Sequence, residues 1–212
     1  MATSNAVRSA IDGLAERLTK AGAKVARGSP SLPDLAVSAR LYMKLLNAAR
    51  SPRLSPDGFA EAERLALAVS PEDHSLQAER TRGYAMTHRE WLATDAARLQ
   101  LQQQWSALFR EFDVVLYPPF AVPAFPHDHS EPLDARHLEI DGKAYAYADA
   151  SFIWADPAST CGLPATAAPI DRSVEGLPIG IQIIGPYLED RTTIAFAGLL
   201  EREFGGFKPP PL

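Results

Sequence analysis

The prolines are unevenly spread and confine the long helices to the first half of the chain. Thirteen of the 18 prolines lie after residue 117, and five of them fall within residues 118–132. Because proline lacks the backbone N–H that a helix interior needs, this distribution predicts loops and short strands there. We therefore expect one domain over residues 1–212, with residues 1–112 rich in helix and residues 113–212 rich in strand and loop.

Composition and charge narrow the classes of function. Of the 212 residues, 46% are hydrophobic and 22% are charged, as in ordinary globular proteins, and no apolar run approaches the roughly 18 residues of a membrane helix. The net charge is −5 and the basic residues are scattered, which argues against nucleic-acid binding. The N-terminus lacks the apolar core of a signal peptide, and the single cysteine, Cys161, fits a reducing compartment. We expect a cytoplasmic protein that binds neither nucleic acid nor membrane.

Helix signals recur through the first half. Apolar residues at helical spacing within residues 7–18 predict the first helix. Serine–proline signals predict three further helix starts, at residues 31–33, 55–56 and 70–71. Thr87 and Glu90 match a capping box, in which the threonine hydroxyl accepts from the glutamate N–H and the carboxylate reaches back. This box predicts a helix of about 25 residues.

Short strand signals fill the second half. Buried strands are predicted at residues 114–117, 165–169 and 179–184. Asp141-Gly142 predicts a two-residue hairpin turn, since this pair accepts positive φ angles. A last helix, residues 194–204 capped by Asp190, is apolar nearly all round and is expected to be buried. The predicted fold class is α/β, with a mixed β-sheet covered by helices.

Serine or thiol chemistry finds little support in the residues alone. A serine nucleophile needs an activating base and oxyanion donors, yet the Gly-x-Ser-x-Gly elbow is absent and no serine lies between two glycines. Cys161, before Gly162, could be a thiol nucleophile, but a small buried residue at a turn is the preferred interpretation. The sequence contains no phosphate loop and no dinucleotide fingerprint, so we expect no cofactor.

A histidine cluster lies in the proline-rich segment. His127-Asp128-His129 is followed by Asp134 and His137, and histidines two residues apart can converge on one metal in extended backbone. Metal sites usually lie on rigid elements, whereas this segment is predicted to be a loop. We favour an exposed loop or pocket rim and expect no metal, with an independent metal-dependent hydrolase built on residues 127–137 as an alternative.

Two Gly-Leu-Pro turns form the most specific motif of the chain. Cys161-Gly162-Leu163-Pro164-Ala165 is followed by Gly176-Leu177-Pro178 and by a strand that carries Gln182 and ends at Gly185-Pro186. This pattern resembles the C-terminal end of the amidase signature family, in which both turns lead into strands. The resemblance extends backwards, since residues 88–91, 113–118 and 124–129 are similar to the middle of bacterial amidases of this family. Residues 7–33 are similar to the segment just after the family's catalytic core.

The resemblance implies amide hydrolysis by catalytic residues that this sequence does not itself contain. Members of the family hydrolyse amide bonds with a serine nucleophile, a second serine in a cis peptide and a lysine. These residues lie in a Gly- and Ser-rich core N-terminal to the matched region, and no position of this chain matches them. The five lysines, at positions 20, 24, 44, 143 and 208, lie outside any such motif. We expect the C-terminal half of an amidase, with no catalytic residue and no activity alone.

The same resemblance implies a role in shaping a substrate pocket. In the intact family fold, the C-terminal half adds strands to one large mixed sheet and loops to the pocket. The candidate substrate-binding residues are Phe125, His127, His129 and Trp154, which would contact a small-molecule amide once the missing core is joined. An alternative is a non-catalytic binding or self-association module, for example a homodimer, because a sheet that lacks strands exposes unpaired edges.

Overall fold

Five helices make up the first half of the computed structural model, which describes residues 2–132 and 135–209. The side chain of the residue before each helix accepts a backbone N–H from its first turn, which satisfies a group that the helix itself leaves unpaired. The helices are α1 (Asn5–Lys20), α2 (Leu35–Arg50), α3 (Pro56–Ala68), α4 (Leu76–Tyr84) and α5 (His88–Leu108), with a 3-10 turn at Ser51–Arg53.

The predicted caps at Ser55 and Thr87 are those of α3 and α5, whereas α2, predicted to start at residues 31–33, begins at Leu35 after its cap Asp34. The capping box is confirmed, since the Glu90 N–H donates to Thr87 Oγ1 at 3.2 Å and the Thr87 N–H donates to Glu90 Oε2 at 2.8 Å. The helix that it opens has 21 residues, fewer than predicted. The start predicted at residues 70–71 is wrong, because the Asp73 N–H donates to the Ser70 carbonyl in a tight turn and α4 begins only after its cap at Ser75.

The described part of the second half contains two antiparallel sheets and three helices. A three-stranded sheet has the order β1-β5-β4, and β2 and β3 form a separate hairpin. The α/β class is confirmed, and all the strand pairs in the described residues are antiparallel. The elements are β1 (Val115–Tyr117), β2 (His137–Ile140), β3 (Lys143–Ala146), α6 (Tyr147–Phe152), α7 (Asp156–Cys161), β4 (Ala165–Arg172), β5 (Pro178–Ile184) and α8 (Asp190–Phe204).

Strand β5 lies at the centre of the sheet because its side chains are buried on both faces. Ile179, Ile181 and Ile183 alternate along one face, are at most 4% exposed, and pack in the apolar clusters formed with α1 and α8. On the opposite face, the Gln182 amide donates to the Trp154 carbonyl at 3.1 Å. The central strand therefore joins two apolar layers.

The larger core lies on the second face of the sheet. It contains Trp105, which is fully buried, together with apolar residues from α2, α7 and the β2–β3 hairpin. The Gln102 amide of α5 donates to the Cys161 carbonyl at 2.7 Å and fixes α5 against the end of α7. Helices from the first half thus cover the strands of the second half.

The β2–β3 hairpin turns at the predicted position and is tied to α1. Asp141 and Gly142 have φ angles of 50° and 79°, as the predicted turn requires. Both carboxylate oxygens of Asp141 accept from the Asn5 N–H, at 3.0 and 3.1 Å, so a negative charge lies at the positive end of α1. The adjacent Ser4 N–H donates to the Ala121 carbonyl at 2.8 Å. The start of α1 therefore holds both the hairpin and the loop after β1.

Helix α8 is not buried all round, and that prediction is wrong. Thr193 and Leu200 are buried, whereas Ile194 is 61% exposed and Leu199 is 47% exposed. The helix has two apolar faces, of which one packs on β4 and β5 and the other faces solvent. Glu189, rather than Asp190, is the residue before its first turn, and its side chain makes no capping hydrogen bond.

Candidate functional site

A small apolar cavity lies beside the loop that follows β1. We call it the aromatic cavity; its volume is about 310 Å³, near the lower end of ligand-binding pockets. The loop forms one wall, and α1, the start of β5 and the start of α6 supply the others. The lining includes Val7, Pro119, Phe120, Phe125, Tyr147 and Ile179. These side chains carry no charge, which suits an uncharged ligand group.

Three aromatic rings shape this cavity. Phe120 and Phe125 are stacked, with centroids 5.6 Å apart and planes 13° apart. Tyr147 meets Phe125 edge to face at 6.2 Å. Both arrangements are favourable for aromatic pairs, so the loop presents an ordered aromatic surface although its sequence is irregular. Of the four predicted substrate-binding residues, Phe125 lines the cavity and remains 38% exposed.

His127 and His129 lie just beyond the cavity in exposed positions. Their rings meet edge to face, with centroids 5.8 Å apart. Between them, the Asp128 carboxylate accepts the Ser130 N–H at 2.9 Å, and hydrogen bonding within this turn lowers the pKa of Asp128. Of the other predicted cluster members, His137 begins β2 and Asp134 lies outside the described residues. Across residues 2–132 and 135–209, no three histidine, cysteine or acidic side chains are grouped closely enough to hold a metal.

Trp154 is in the core rather than on a pocket rim. Its side chain is 4% exposed and packs at 5.2 Å against the ring of Tyr117, the last residue of β1. Trp154, which the family resemblance made a candidate for the substrate pocket, is part of the larger core, because the connection from α6 to α7 folds inward beneath the sheet. Trp154 therefore contacts the strand from which the cavity loop emerges, and its role in substrate binding remains a prediction.

A buried acid close to Trp154 was not anticipated from the sequence. Asp156 is fully buried, and its Oδ1 accepts from the hydroxyls of Ser38 at 2.9 Å and Thr160 at 2.6 Å. Its Oδ2 has no hydrogen-bond partner in the described residues, and burial raises the pKa of Asp156 to about 6. An aspartate before a proline in a short helix carries no local sign of burial, so the sequence offered no signal.

The structure does not support a reactive thiol at Cys161. Its side chain is fully buried, and burial together with the nearby charge of Asp156 raises the pKa of Cys161 to about 12. The thiolate is the nucleophilic form and is scarce at neutral pH under these conditions. This environment agrees with the interpretation of Cys161 as a small buried residue at a turn.

A larger groove opens on another side of the molecule and was also missed. It has a volume of about 670 Å³ and is formed by the starts of α2 and α4, strand β3 and helix α6. Its lining includes Arg40, His74 and Tyr145 among mostly apolar side chains. The four segments are far apart in sequence, so no local pattern could have indicated the groove.

The described residues also lack a serine–lysine pair of the kind that activates a hydroxyl. No hydrogen bond within residues 2–132 and 135–209 joins a serine to a lysine. Lys44 instead pairs with Glu79 at 3.1 Å, and Lys143 lies over the Tyr145 ring. The fold and site thus define an α/β protein with two largely apolar cavities in its described part.

Comparison with known proteins supplies the family. The sequence model of the Amidase family matches residues 1–194. The chain therefore belongs to the amidase (amidase signature) family. The resemblance seen in the two Gly-Leu-Pro turns is confirmed by this match.

The relatives are longer proteins, of which this chain covers a part. A glutamyl-tRNA(Gln) amidotransferase subunit of Exiguobacterium sp. is 27% identical over 222 residues, which cover 97% of this chain and 43% of that protein. Fatty-acid amide hydrolase 2-A of Danio rerio is 34% identical over 110 residues, or 52% of this chain and 18% of that protein. An amidase crystal structure matches 94% of this chain and 42% of its own, with 26% identity and a TM-score of 0.69.

None of the helices in the described residues is both long enough and apolar enough to cross a membrane.

Proposed function

We propose that this chain is the C-terminal part of an amide-hydrolysing enzyme of the amidase family. It contributes strands and pocket loops, while the serine nucleophile, the second serine and the lysine come from a Gly- and Ser-rich segment that precedes the matched region. The observation that carries the proposal is the family match over residues 1–194 in a sequence without that core. By this proposal the chain alone is inactive, and its substrate is a small-molecule amide handled in the cytoplasm.

The aromatic cavity supports a part for this chain in substrate binding. Phe125 offers an exposed ring face beside Phe120 and Tyr147, a surface that suits an apolar group of the amide. We assign His127 and His129, which are exposed next to it, to the entrance of the pocket. Trp154 takes part indirectly, because its ring supports Tyr117 at the base of the cavity loop.

The aromatic cavity would position the substrate amide and would not itself break the amide bond. A group held in the cavity would fix the amide carbonyl in front of a nucleophile carried by the joined core. Holding the reactants in the correct geometry lowers the activation barrier of the reaction. In well-oriented intramolecular reactions the barrier falls by on the order of 7–11 kcal/mol. Loss of the apolar contact would therefore lower kcat/KM without removing the nucleophile.

The proposal is tested by rejoining the chain to a catalytic core. The chain is fused to the part of the matching amidase of known structure that it does not cover, and ammonia release from hexanamide is measured. We expect no release from the chain alone and release from the joined protein. Ammonia release by the chain alone that a single internal substitution abolishes, or a folded joined protein without activity, would contradict the proposal.

A matched pair of variants tests the cavity within the joined protein. Phe125→Ala removes the ring that lines the cavity, and we expect kcat/KM for hexanamide to fall about tenfold, as a lost apolar contact of about 1.4 kcal/mol requires. Leu67→Ala removes an apolar side chain that is 89% exposed on α3 and serves as the control. Equal effects of the two substitutions would show that Phe125 does not contact the substrate.

A further inference from the structure

We propose that the groove between α2, α4 and the β3–α6 corner binds a small amphipathic carboxylate, with Arg40 as the residue that holds the carboxylate. We call it the Arg40 groove; its volume is about 670 Å³. It shares no lining residue with the aromatic cavity. The proposal depends on the groove itself and does not require the amide hydrolysis proposed above.

The walls of the groove are mainly aliphatic and fit a hydrocarbon chain. Leu32, at 39% exposed, lies at the surface, whereas Ile153, at 8% exposed, is buried. The volume is within the range of small-molecule pockets, which bury most of a ligand against apolar side chains and orient it with a few polar groups. The larger apolar residues of the lining are Leu32, Leu35, Leu76, Tyr145 and Ile153.

Arg40 supplies a positive charge to the groove. Its side chain is partly buried, and none of the hydrogen bonds and ion pairs among the described residues involves it. Its guanidinium is therefore available to a bound acceptor, and a charge-assisted hydrogen bond to an anion would be stabilising. The groove therefore favours an anion at the position of Arg40.

The carboxylates that line the same groove already have partners. Asp34 caps α2, and its Oδ1 accepts from the N–H groups of Ala36 at 2.8 Å and Val37 at 3.2 Å. Asp149 also has an interaction partner. Asp34 thus acts as a helix cap and Asp149 has a partner of its own, whereas none of the hydrogen bonds and ion pairs among the described residues involves the Arg40 guanidinium.

The N-terminal end of α4 also lines the groove, through its cap Ser75 and its first residue Leu76. This end carries a partial positive charge, whereas the carboxylate of Asp34 offsets that of α2. His74 lies at the rim, with its Nδ1 3.3 Å from Glu79 Oε1. Glu79 is itself paired with Lys44 at 3.1 Å and Arg82 at 3.2 Å, so its charge is balanced within the helix pair.

The chemistry of arginine narrows the ligand to a carboxylate with an apolar body. A guanidinium presents two parallel N–H groups that match the two oxygens of a carboxylate. The apolar side chains of the groove leave room for an alkyl chain. A medium-chain monocarboxylate such as octanoate has both features.

The experiment compares octanoate with octanamide, a neutral molecule of nearly the same shape. Each is titrated into the 212-residue chain and followed by amide chemical shifts. We expect octanoate to bind at least about tenfold more tightly, the ratio that a charge-assisted contact of about 1.4 kcal/mol gives, and to shift the amides of Ala36, Leu76 and Ala150. Added salt should weaken the binding of octanoate and leave that of octanamide unchanged.

Substitutions at Arg40 decide whether the guanidinium is responsible. Arg40→Leu should abolish the preference for octanoate, and Arg40→Lys should retain part of it. Arg50→Leu, at the exposed end of the same helix, is the matched control and should change nothing. If Arg40→Leu does not fold, Arg40→Gln replaces it, because its side chain keeps the polar end without the charge.

Three results would overturn the proposal. These are equal affinities for octanoate and octanamide, an unchanged octanoate affinity in a folded Arg40→Leu or Arg40→Gln variant, or shifts confined to residues outside the groove. The proposed function fails separately, through a joined protein that does not release ammonia. The two conclusions can therefore be overturned independently.

Discussion

Asp156 shows what a single buried charge does to this molecule. Its carboxylate accepts two hydroxyl hydrogen bonds but lies out of contact with water, and burial raises its pKa to about 6. In an unfolded chain the pKa of an aspartate is about 3.9. The folded state therefore prefers the protonated form, whose stabilising contribution is complete below about pH 4 and is lost as the pH rises through about 6.

We predict that Asp156→Asn stabilises the protein at neutral pH. The asparagine oxygen can still accept from Ser38 and Thr160, while the cost of a buried charge disappears. A pKa difference of about two units corresponds to at most about 3 kcal/mol, so the unfolding free energy at pH 7 should rise by up to that amount. The gain should shrink towards zero near pH 4, where the natural residue is protonated.

Urea unfolding of both proteins between pH 4 and pH 7 measures this difference. Asp171→Asn, at an exposed position of β4, is the control and should show little change across the same range. A gain that does not depend on pH, or a loss of stability at pH 7, would contradict the assigned effect of burial. The raised pKa would then not reflect the cost of the buried carboxylate.

At the scale of helices, strands and turns, residues that lie close together in the sequence were sufficient for some predictions and not for others. The capping box at Thr87 and the Asp141-Gly142 turn were predicted because each depends on residues a few positions apart. The start of α4 was misplaced because a local turn at residues 70–73 competed with the helix signal. The Arg40 groove could not be predicted, since four segments distant in sequence build it.

The burial of Trp154 could not be predicted for a related reason. The family resemblance made it a candidate for the substrate pocket, whereas its burial follows from packing against Tyr117 and from the Gln182 hydrogen bond to its carbonyl. Phe125 lines the aromatic cavity because a backbone hydrogen bond from the start of α1 holds the proline-rich loop that carries it. The pattern of apolar residues in the sequence does not indicate that Trp154 is buried and Phe125 partly exposed.

The contact between α2 and α4 is close enough to yield a prediction about a glycine. A Cβ atom added at Gly83 would lie 2.7 Å from the Lys44 carbonyl oxygen and 3.0 Å from Asn47 Cβ. Real Cβ atoms do not approach backbone so closely, and the same helix pair is held by the buried Glu79–Lys44 ion pair. Gly83→Ala should therefore push the helices apart and lower the unfolding free energy by about 1–3 kcal/mol.

Gly198→Ala provides the matched control for this experiment. Gly198 also lies within a helix, but a Cβ atom there would meet nothing within 4 Å. Alanine is the better helix former by about 1 kcal/mol, so this variant should be slightly more stable. Opposite signs in thermal or urea unfolding are expected, and a destabilisation shared by both variants would refute the crowding argument.

At the scale of the whole molecule, helix α8 carries more apolar surface than one sheet can cover. Thr193 and Leu200 face β4 and β5, while Ile194, Ala195 and Leu199 form an exposed stripe on the opposite side. Single exposed apolar residues are common, but a contiguous stripe on a helix favours association. Such a stripe explains why the pattern of this helix, apolar nearly all round, predicted burial.

We predict that the isolated chain self-associates through this α8 stripe. Sedimentation velocity should give an average mass that rises with protein concentration, because two copies can bury the stripe against each other. Ile194→Lys places a charge at the N-terminal end of the stripe, where Ile194 is 61% exposed, and should keep the protein monomeric over the same range. Leu67→Lys changes a side chain that is 89% exposed on α3, away from α8, and should leave the association unchanged. A natural chain that stays monomeric, or two variants with equal effects, would show that the stripe does not join copies of this chain.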